Sequence, residues 1–95
     1  MYGTLMIGRL AAPLQQVEEV LTAWEADKGA RTPGYLGQSV LAGDDGTTVV
    51  AAIRFADSAS YRALSDDPEQ DTWWTTQMAP LFAGDVQWID GTWTR

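Results

Sequence analysis

Few side chains in this chain of 95 residues could perform chemistry, and the absent residue types limit the possibilities most. The chain contains no histidine and no cysteine. Zinc sites, haem ligated through either side chain, and thiolate-bound iron–sulfur clusters all need one of these residues. Ser-His-Asp and Cys-His catalysis need them as well. We therefore expect no metal and no cofactor, and any catalysis would use phenol, guanidinium or carboxylate groups.

Phenol and guanidinium groups are the first candidates for chemistry. The three tyrosines are Tyr2, Tyr35 and Tyr61, and a phenol can donate a proton to a developing oxyanion. Arg54 lies in an otherwise apolar stretch, and its planar fork suits a ligand carboxylate, phosphate or enolate. The alternative for Arg54 is an ion pair at the strand end or across a dimer. The alternative for each tyrosine is a hydrogen-bonded, partly buried position without a catalytic role.

Carboxylates are concentrated in one short stretch, which contains Asp66, Asp67, Glu69 and Asp71. This stretch offers oxygen ligands but lacks the alternating spacing and central glycine of a calcium loop. Stabilisation of a helix N-terminus by negative charge explains it without a metal. Elsewhere, Asp90 precedes Gly91 and indicates a bend, with a base at a cavity mouth as the alternative.

The balance of charge excludes whole classes of partner. The chain has 13 Asp and Glu against 6 Lys and Arg, a formal net charge of −7. Binding to nucleic acid or to an anionic membrane needs clustered basic residues. The longest apolar run, residues 49–53, is far below the ~20 residues that span a bilayer. We expect a cytoplasmic protein that binds neither nucleic acid nor membrane.

Short apolar runs predict four strands, at residues 2–9, 35–42, 47–55 and from Val86 onward. The sequence Gly-Asp-Asp-Gly at residues 43–46 predicts a hairpin between the second and third strands. A Pro-Gly pair at the end of residues 31–34 favours a type II turn before the second strand. Asp90 and Gly91 predict a bulge or bend in the last strand.

Helical stretches separate these strands. Pro13 suits the first position of a helix whose apolar spacing continues towards a stop at Gly29. Asp57 is a predicted cap for a second, short helix. Asp67 is a predicted cap for a third, with Gln70 completing a capping box. The order β-α-β-β-α-β, with the second helical stretch in two parts, predicts one α+β domain over residues 1–95, a ferredoxin-like antiparallel sheet with helices on one face.

Both faces of the predicted sheet carry apolar residues. Val49, Ala51 and Ile53 share one face of the third strand, whereas Val50 and Ala52 share the other. Helices cover only one face of such a sheet, and a large exposed apolar patch is uncommon on a monomer. The sequence therefore predicts a homodimer that pairs sheet to sheet.

The five tryptophans are assigned by their spacing. Trp74, Met78 and Leu81 share a helical stripe, which predicts Trp74 as a core residue alongside Trp24. Trp73 lies ~100° away from Trp74 on the same helix, so the two cannot share the middle of one stripe. For Trp73 the alternatives are the core edge, a dimer contact or a pocket wall. Trp88 and Trp93 fall on opposite faces of the last strand.

The segment at residues 32–37 and the strand–helix junction at residues 49–64 resemble the antibiotic biosynthesis monooxygenase family. The matching residues are Thr32-Pro33-Gly34-Tyr35-Leu36-Gly37, Ala56-Asp57 and Tyr61-Arg62-Ala63-Leu64. This resemblance implies a dimeric α+β barrel with a pocket in each subunit, between sheet and helices. The family includes cofactor-free oxygenases of polycyclic aromatic polyketides and haem-degrading proteins, and related barrels are polyketide cyclases.

The chain departs from that family at its best-known functional positions. Haem-degrading relatives use an Asn, a Trp and a His, and element alignment implies Met6, Leu64 and Trp73 at these positions. None of the three required types is present, so haem degradation is not expected. The chain contains no asparagine, so the Asn of the polyketide oxygenases has no counterpart, and neither does the His of the cyclases.

Residues and resemblance together predict a cofactor-independent monooxygenase-like protein. It would bind a flat, largely apolar small molecule, polyketide- or quinol-like, in an aromatic-lined pocket. The candidates for catalysis are Tyr61, near the implied pocket, and Trp73. The candidates for substrate binding are Met6, Arg54, Leu64, Gln77 and Phe82. The alternatives are a non-catalytic small-molecule-binding or accessory protein, and a polyketide cyclase or isomerase of the same barrel fold.

Overall fold

A computed structural model describes the whole chain, from Met1 to Arg95. Its sheet contains four strands, β1 (Tyr2–Arg9), β2 (Tyr35–Ala42), β3 (Thr48–Phe55) and β4 (Gln87–Thr92). The strands lie in the order β2-β3-β1-β4, and every neighbouring pair is antiparallel. The predicted ferredoxin-like α+β fold is confirmed.

Three helices pack on one face of the sheet, α1 (Leu14–Trp24), α2 (Ser58–Ser65) and α3 (Pro68–Trp73). Both α1 and α3 continue into a π-helical turn, Glu25–Gly29 after α1 and Trp74–Met78 after α3. The regular part of α1 therefore ends five residues before the predicted stop at Gly29. None of the helices has the length and apolar character needed to cross a membrane.

Aspartate side chains cap two of these helices as predicted. Asp57 accepts a hydrogen bond of 2.8 Å from the backbone N–H of Ser60. Asp67 accepts one of 2.9 Å from the backbone N–H of Glu69. The predicted capping box is wrong, because the side-chain oxygen of Gln70 accepts a hydrogen bond from the Trp24 indole instead. A long-range partner has replaced the local one.

The turns and irregularities of the sheet are partly those predicted. Gly34 has φ = 79°, the value that a type II turn needs at this position. Asp90 and Gly91 pair in unbroken register with β1, so the bulge predicted there is wrong. The register shifts instead in β2, between Tyr35 and Gly37. Backbone pairing with a central strand holds Asp90 in regular extended conformation.

The core lies between the sheet and the helices. Its main cluster of buried residues comes from β1, α1, β3 and the segment after α3, and it contains Met6, Val17, Leu21, Val49, Ala51, Met78 and Phe82. Val49 and Ala51 are 0% and 2% exposed, which fixes this side of β3 as the helix-covered face. Side chains alternate across a strand. Every second residue of each strand therefore points to the opposite, uncovered face.

The uncovered face of the sheet is largely apolar, and we call it the outer face. Strand register places on it Leu5, Ile7, Leu41, Val50, Ala52 and Ile89. Leu41 is 67% exposed and Ile89 is 47% exposed in the single chain. Trp93 also packs on this face, close against Gly3, whereas Trp88 lines the helix-covered side. These two tryptophans therefore lie on opposite faces of the sheet, as predicted.

Candidate functional site

A pocket of about 460 Å³ lies between the inner face of the sheet and the helices. All three helices and all four strands contribute to its wall. Seven of its lining residues are aromatic, and they are Trp24, Tyr35, Phe55, Tyr61, Trp73, Trp74 and Trp88. A flat, apolar molecule is the kind of ligand that such a wall suits, because aromatic rings present large rigid apolar surfaces.

The aromatic rings of the wall form one connected series of contacts. The Trp24 ring lies 5.0 Å from that of Tyr35, edge to face, and 5.7 Å from that of Trp73. Trp73 lies 6.4 Å from Trp74, and the rings of Trp74 and Trp88 lie 5.0 Å apart. These spacings are within the range of favourable aromatic pairs. Mutual contact holds the pocket wall in place without a ligand.

Two tryptophans that the spacing assigned to the core also line the pocket. Trp24 is 7% exposed and belongs to the core, and Trp74 packs against the core, as predicted. Both side chains also line the pocket, together with the buried Met78. Core and pocket wall are thus continuous at these residues.

Two hydrogen bonds fix the end of α1 against its neighbours. The indole nitrogen of Trp24 donates to the side-chain oxygen of Gln70 at 2.9 Å. The phenol of Tyr35 donates to the carboxylate of Glu25 at 3.0 Å. Burial of the Tyr35 phenol, followed by its bond to Glu25, raises the pKa of Tyr35. Tyr35 is therefore a neutral donor at physiological pH.

Polar groups meet at one end of the pocket, which we call the Asp90 end. Its three members are Thr4, Tyr61 and Asp90. Tyr61 donates a hydrogen bond of 2.9 Å to Oδ1 of Asp90. Asp90 lies directly opposite Thr4 in the register of β1 and β4. The Thr4 hydroxyl is buried without a well-formed hydrogen bond but lies close to the Tyr61 phenol, so a ligand would compete with that phenol for it.

The Tyr61 phenol is held in its protonated form. Partial burial first, and then the hydrogen bond to Asp90, raise the pKa of Tyr61 to about 12. A phenol with so high a pKa is a poor proton donor in acid–base catalysis at neutral pH. Its O–H serves as a hydrogen-bond donor, and Asp90 already accepts that bond.

The charged residues that line the pocket are both acidic, Asp71 and Asp90. The acidic cluster at the start of α3 contributes a helix cap and ion pairs outside the pocket. There, Asp67 and Glu69 pair with Lys28 at 2.6 and 3.6 Å, and the hydrogen bond from Lys28 lowers the pKa of Asp67. No group of three or more Asp and Glu side chains is arranged to hold a metal ion. The pocket is thus aromatic and negatively charged.

The structure brings four of the seven predicted site residues into the pocket wall, and these are Met6, Tyr61, Leu64 and Trp73. Arg54 lies on the outer face, because its neighbours Ile53 and Phe55 face the pocket and side chains alternate. There it donates a hydrogen bond of 3.3 Å to Ser39. Gln77 is exposed outside the pocket, and Phe82 is buried in the core beside it. Arg54, Gln77 and Phe82 therefore do not line the pocket.

Thr4, Trp24, Trp74 and Trp88 were not among the predicted site residues, although all of them line the pocket. A usable signal existed for the last strand. Trp88 and Asp90 are two residues apart, which places both on one face of a strand. The bulge predicted at Asp90 concealed this relationship.

Solved structures of similar fold cover nearly the whole chain. A protein of Nitrosomonas europaea, proposed to be an antibiotic biosynthesis monooxygenase, is 18% identical, with TM-score 0.74 and 100% of each chain covered. The monooxygenase from ActVA-Orf6 of Streptomyces coelicolor, in complex with nanaomycin D, is 19% identical, with TM-score 0.73, 96% of this chain and 85% of that chain covered.

SnoaB of Streptomyces nogalater, a cofactor-independent oxygenase, is 18% identical, with TM-score 0.69, 99% of this chain and 97% of that chain covered. No protein-family model matches the chain, and no curated protein matches its sequence. Identities this low support a shared fold. The chain has the fold of the antibiotic biosynthesis monooxygenase family, which confirms at the level of fold the resemblance found in its sequence.

Proposed function

We propose that this protein binds a flat, largely apolar small molecule, polyketide- or quinol-like, and oxygenates it without a cofactor. The observation that carries the proposal is the pocket of about 460 Å³ with seven aromatic side chains in its wall. Its fold is shared with a cofactor-independent oxygenase and with a monooxygenase solved in complex with nanaomycin D. Tyr61 and Trp73 are the proposed functional residues, with Met6 and Leu64 contributing apolar contacts.

In the proposed reaction the substrate supplies the electrons. An anthrone-type substrate loses a proton from its methylene group to give an enolate, and the enolate carbon forms a bond to O₂. Loss of water from the hydroperoxide leaves a carbonyl, so one O₂ yields one carbonyl oxygen and one water. The protein's part is to hold the ring plane against Trp73 and to exclude bulk solvent, which raises the effective concentration of the reactive conformer.

Non-catalytic binding is the second candidate, and a specific observation favours it. The Tyr61 hydroxyl already donates to Asp90, and Arg54 does not line the pocket, so a bound enolate has no cationic side chain beside it. In a cyclase or isomerase of the same fold, Asp90 would carry the proton, and the hydrogen bond from Tyr61 would orient its carboxylate. Its product would then be an isomer of the substrate, formed without oxygen.

Oxygen uptake with 1,8-dihydroxyanthrone, in the presence of a chelator, tests the proposal. We expect one O₂ consumed per substrate, faster than the uncatalysed reaction, and a rate about tenfold lower in Trp73→Ala. Gln77→Ala, which removes an exposed side chain outside the pocket, serves as the control. Quenching of tryptophan fluorescence without oxygen uptake would favour binding alone, and an isomeric product without oxygen uptake would favour an isomerase.

We further propose that the functional unit is a homodimer joined through the outer face. Leu41 and Ile89 are 67% and 47% exposed in the single chain. With Leu5, Ile7 and Val50 they form a continuous apolar surface, which soluble monomers rarely expose. Light scattering at micromolar concentration is expected to give twice the chain mass of 10.4 kDa. A mass equal to one chain would contradict this pairing.

A further inference from the structure

The pocket lacks positive charge, although the chain carries six Lys and Arg residues. None of the six lines the pocket. Lys28 pairs with Asp67, and Arg31 pairs with Asp27 at 3.2 Å. Arg54 bonds to Ser39 on the outer face. The remaining three, Arg9, Arg62 and Arg95, are exposed outside the pocket.

Asp90 retains capacity to bind a ligand cation. Its Oδ1 accepts the hydrogen bond from Tyr61, which orients the carboxylate. Its Oδ2 has no partner among the side-chain hydrogen bonds of the chain, so this oxygen is available. A carboxylate accepts strong, charge-assisted hydrogen bonds from an ammonium group.

Thr4 supplies an independent indication of a ligand at the same place. Thr4 is only 2% exposed and lines the pocket, and its hydroxyl makes no well-formed hydrogen bond, although it lies close to the Tyr61 phenol. A buried hydroxyl without a partner is costly. Thr4 faces Asp90 across the paired strands, so one ligand group with several N–H donors could bond to both.

Aromatic rings surround this polar end. The Tyr61 ring, whose hydroxyl bonds to Asp90, lies 5.3 Å from that of Phe55 and 5.6 Å from that of Tyr2. Trp88 precedes Asp90 by two residues on the same face of β4, a separation of ~7 Å along a strand. Cations are attracted to the faces of Trp, Tyr and Phe rings within ~6 Å. An anion is repelled by the same faces and by the carboxylate.

We infer that the pocket selects a planar aromatic ligand that carries a protonated amine, with the ammonium group held at the Asp90 end by Asp90 and Thr4. This inference rests on the proposed function and names its substrate class. It also explains how an enolate could be stabilised although no cationic side chain lies beside it. The positive charge that the protein does not provide arrives on the substrate, where it offsets the negative charge of the enolate.

Three anthraquinones that differ only at position 2 test the inference by binding alone. The substituents are aminomethyl, which is cationic at neutral pH, hydroxymethyl, which is neutral, and carboxylate, which is anionic. Affinities are measured by isothermal titration calorimetry and by quenching of tryptophan fluorescence. We expect the amine to bind about tenfold more tightly than the alcohol, and the carboxylate to bind about tenfold more weakly than the alcohol.

Three variants test which residues cause the preference for the amine. Asp90→Asn keeps an acceptor for Tyr61 but removes the charge, and we expect it to reduce the preference for the amine to about twofold. Asp44→Asn removes the same charge from the exposed hairpin, outside the pocket, and is expected to keep the preference. Thr4→Val, of nearly the same shape, is expected to lower affinity for the amine about threefold, with little effect on the alcohol.

The outcomes separate this inference from the proposed function. Equal affinities for the three ligands, or tightest binding of the carboxylate, would overturn the inference and leave an aromatic-binding pocket in place. Equal loss of the preference in Asp90→Asn and Asp44→Asn would also overturn it, because net charge would then be the cause. Failure of all three anthraquinones to bind would overturn the inference and the proposed ligand class together.

Discussion

The indole nitrogen of Trp24 donates a hydrogen bond of 2.9 Å to the side-chain oxygen of Gln70. The bond joins the end of α1 to the middle of α3, and both residues line the pocket. Trp24 is only 7% exposed, so water has little access to replace Gln70 as the acceptor. The separation of α1 and α3, and with it the position of Trp73 against Trp24, depends on this bond.

Gln70→Ala is expected to destabilise the protein by about 1–3 kcal/mol, because it leaves the buried indole N–H without an acceptor. Urea unfolding monitored by circular dichroism measures the loss. Gln77→Ala makes the same chemical change on an exposed residue of the following π turn, and we expect a change of less than about 0.5 kcal/mol. Similar losses in both variants would contradict the role of the bond.

Stability is expected to fall in alkaline solution as the Tyr61 phenol ionises. Its pKa is raised from 10.0 to about 12 in the folded chain, so near pH 11 the folded state binds more protons than the unfolded state. The contribution is complete below about pH 10 and is lost as the pH rises through about 12. Urea unfolding between these values measures the decline. Tyr61→Phe should show a shallower decline, and an identical slope would contradict the assignment.

Gly34→Ala and Gly46→Ala together test the packing of the turn before β2. Both glycines have positive φ, 79° and 78°, so alanine costs about 1–2 kcal/mol of backbone strain at either position. A Cβ at Gly34 would also clash with Ser60, whereas one at Gly46 would meet open space. We expect Gly34→Ala to lose about 1–3 kcal/mol more than Gly46→Ala. Equal losses in urea unfolding would show that the turn does not pack closely on α2.

Ile89→Lys is expected to weaken the proposed homodimer by placing a charge within its apolar contact. Sedimentation velocity at several concentrations should show dissociation at concentrations where the wild-type chain remains dimeric. Leu36→Lys is the control, since Leu36 is 54% exposed but lies at the register shift between Tyr35 and Gly37 and is not among the paired residues that form the outer face. Equal dissociation in both variants would argue against the outer face as the interface.

The fold was largely predictable because the turn and capping residues agreed with the pattern of apolar residues along the strands and helices. β1 and β2 begin and end at the predicted residues, and Asp57 and Asp67 cap the helices that follow them. Each of these features depends on neighbouring residues along the chain. The capping role of Gln70 failed for the opposite reason, because a residue 46 positions away competes for its side chain.

The site was less predictable because it depends on strand parity and on contacts between distant elements. Arg54 suggested a ligand contact by its type, but its neighbours Ile53 and Phe55 face the pocket, which places Arg54 on the opposite face. Helical spacing predicted that Trp74 packs against the core, which it does, but spacing within one helix does not indicate that a cavity lies beside it. The pairing of Tyr61 with Asp90 joins residues 29 positions apart, and no local pattern indicates it.

Each π turn is equivalent to the insertion of one residue into an α-helix. Removing one residue from the segment Trp74–Met78 would restore regular α winding, because five residues of a π turn wind through about the same angle as four residues of an α-helix. The residues beyond the turn would therefore keep their faces, whereas the side chains within it would change direction relative to the pocket. The number of residues in this turn thus influences the shape of the cavity wall. Insertions and deletions at the two π turns offer a route to new ligand preferences without a change in any wall residue.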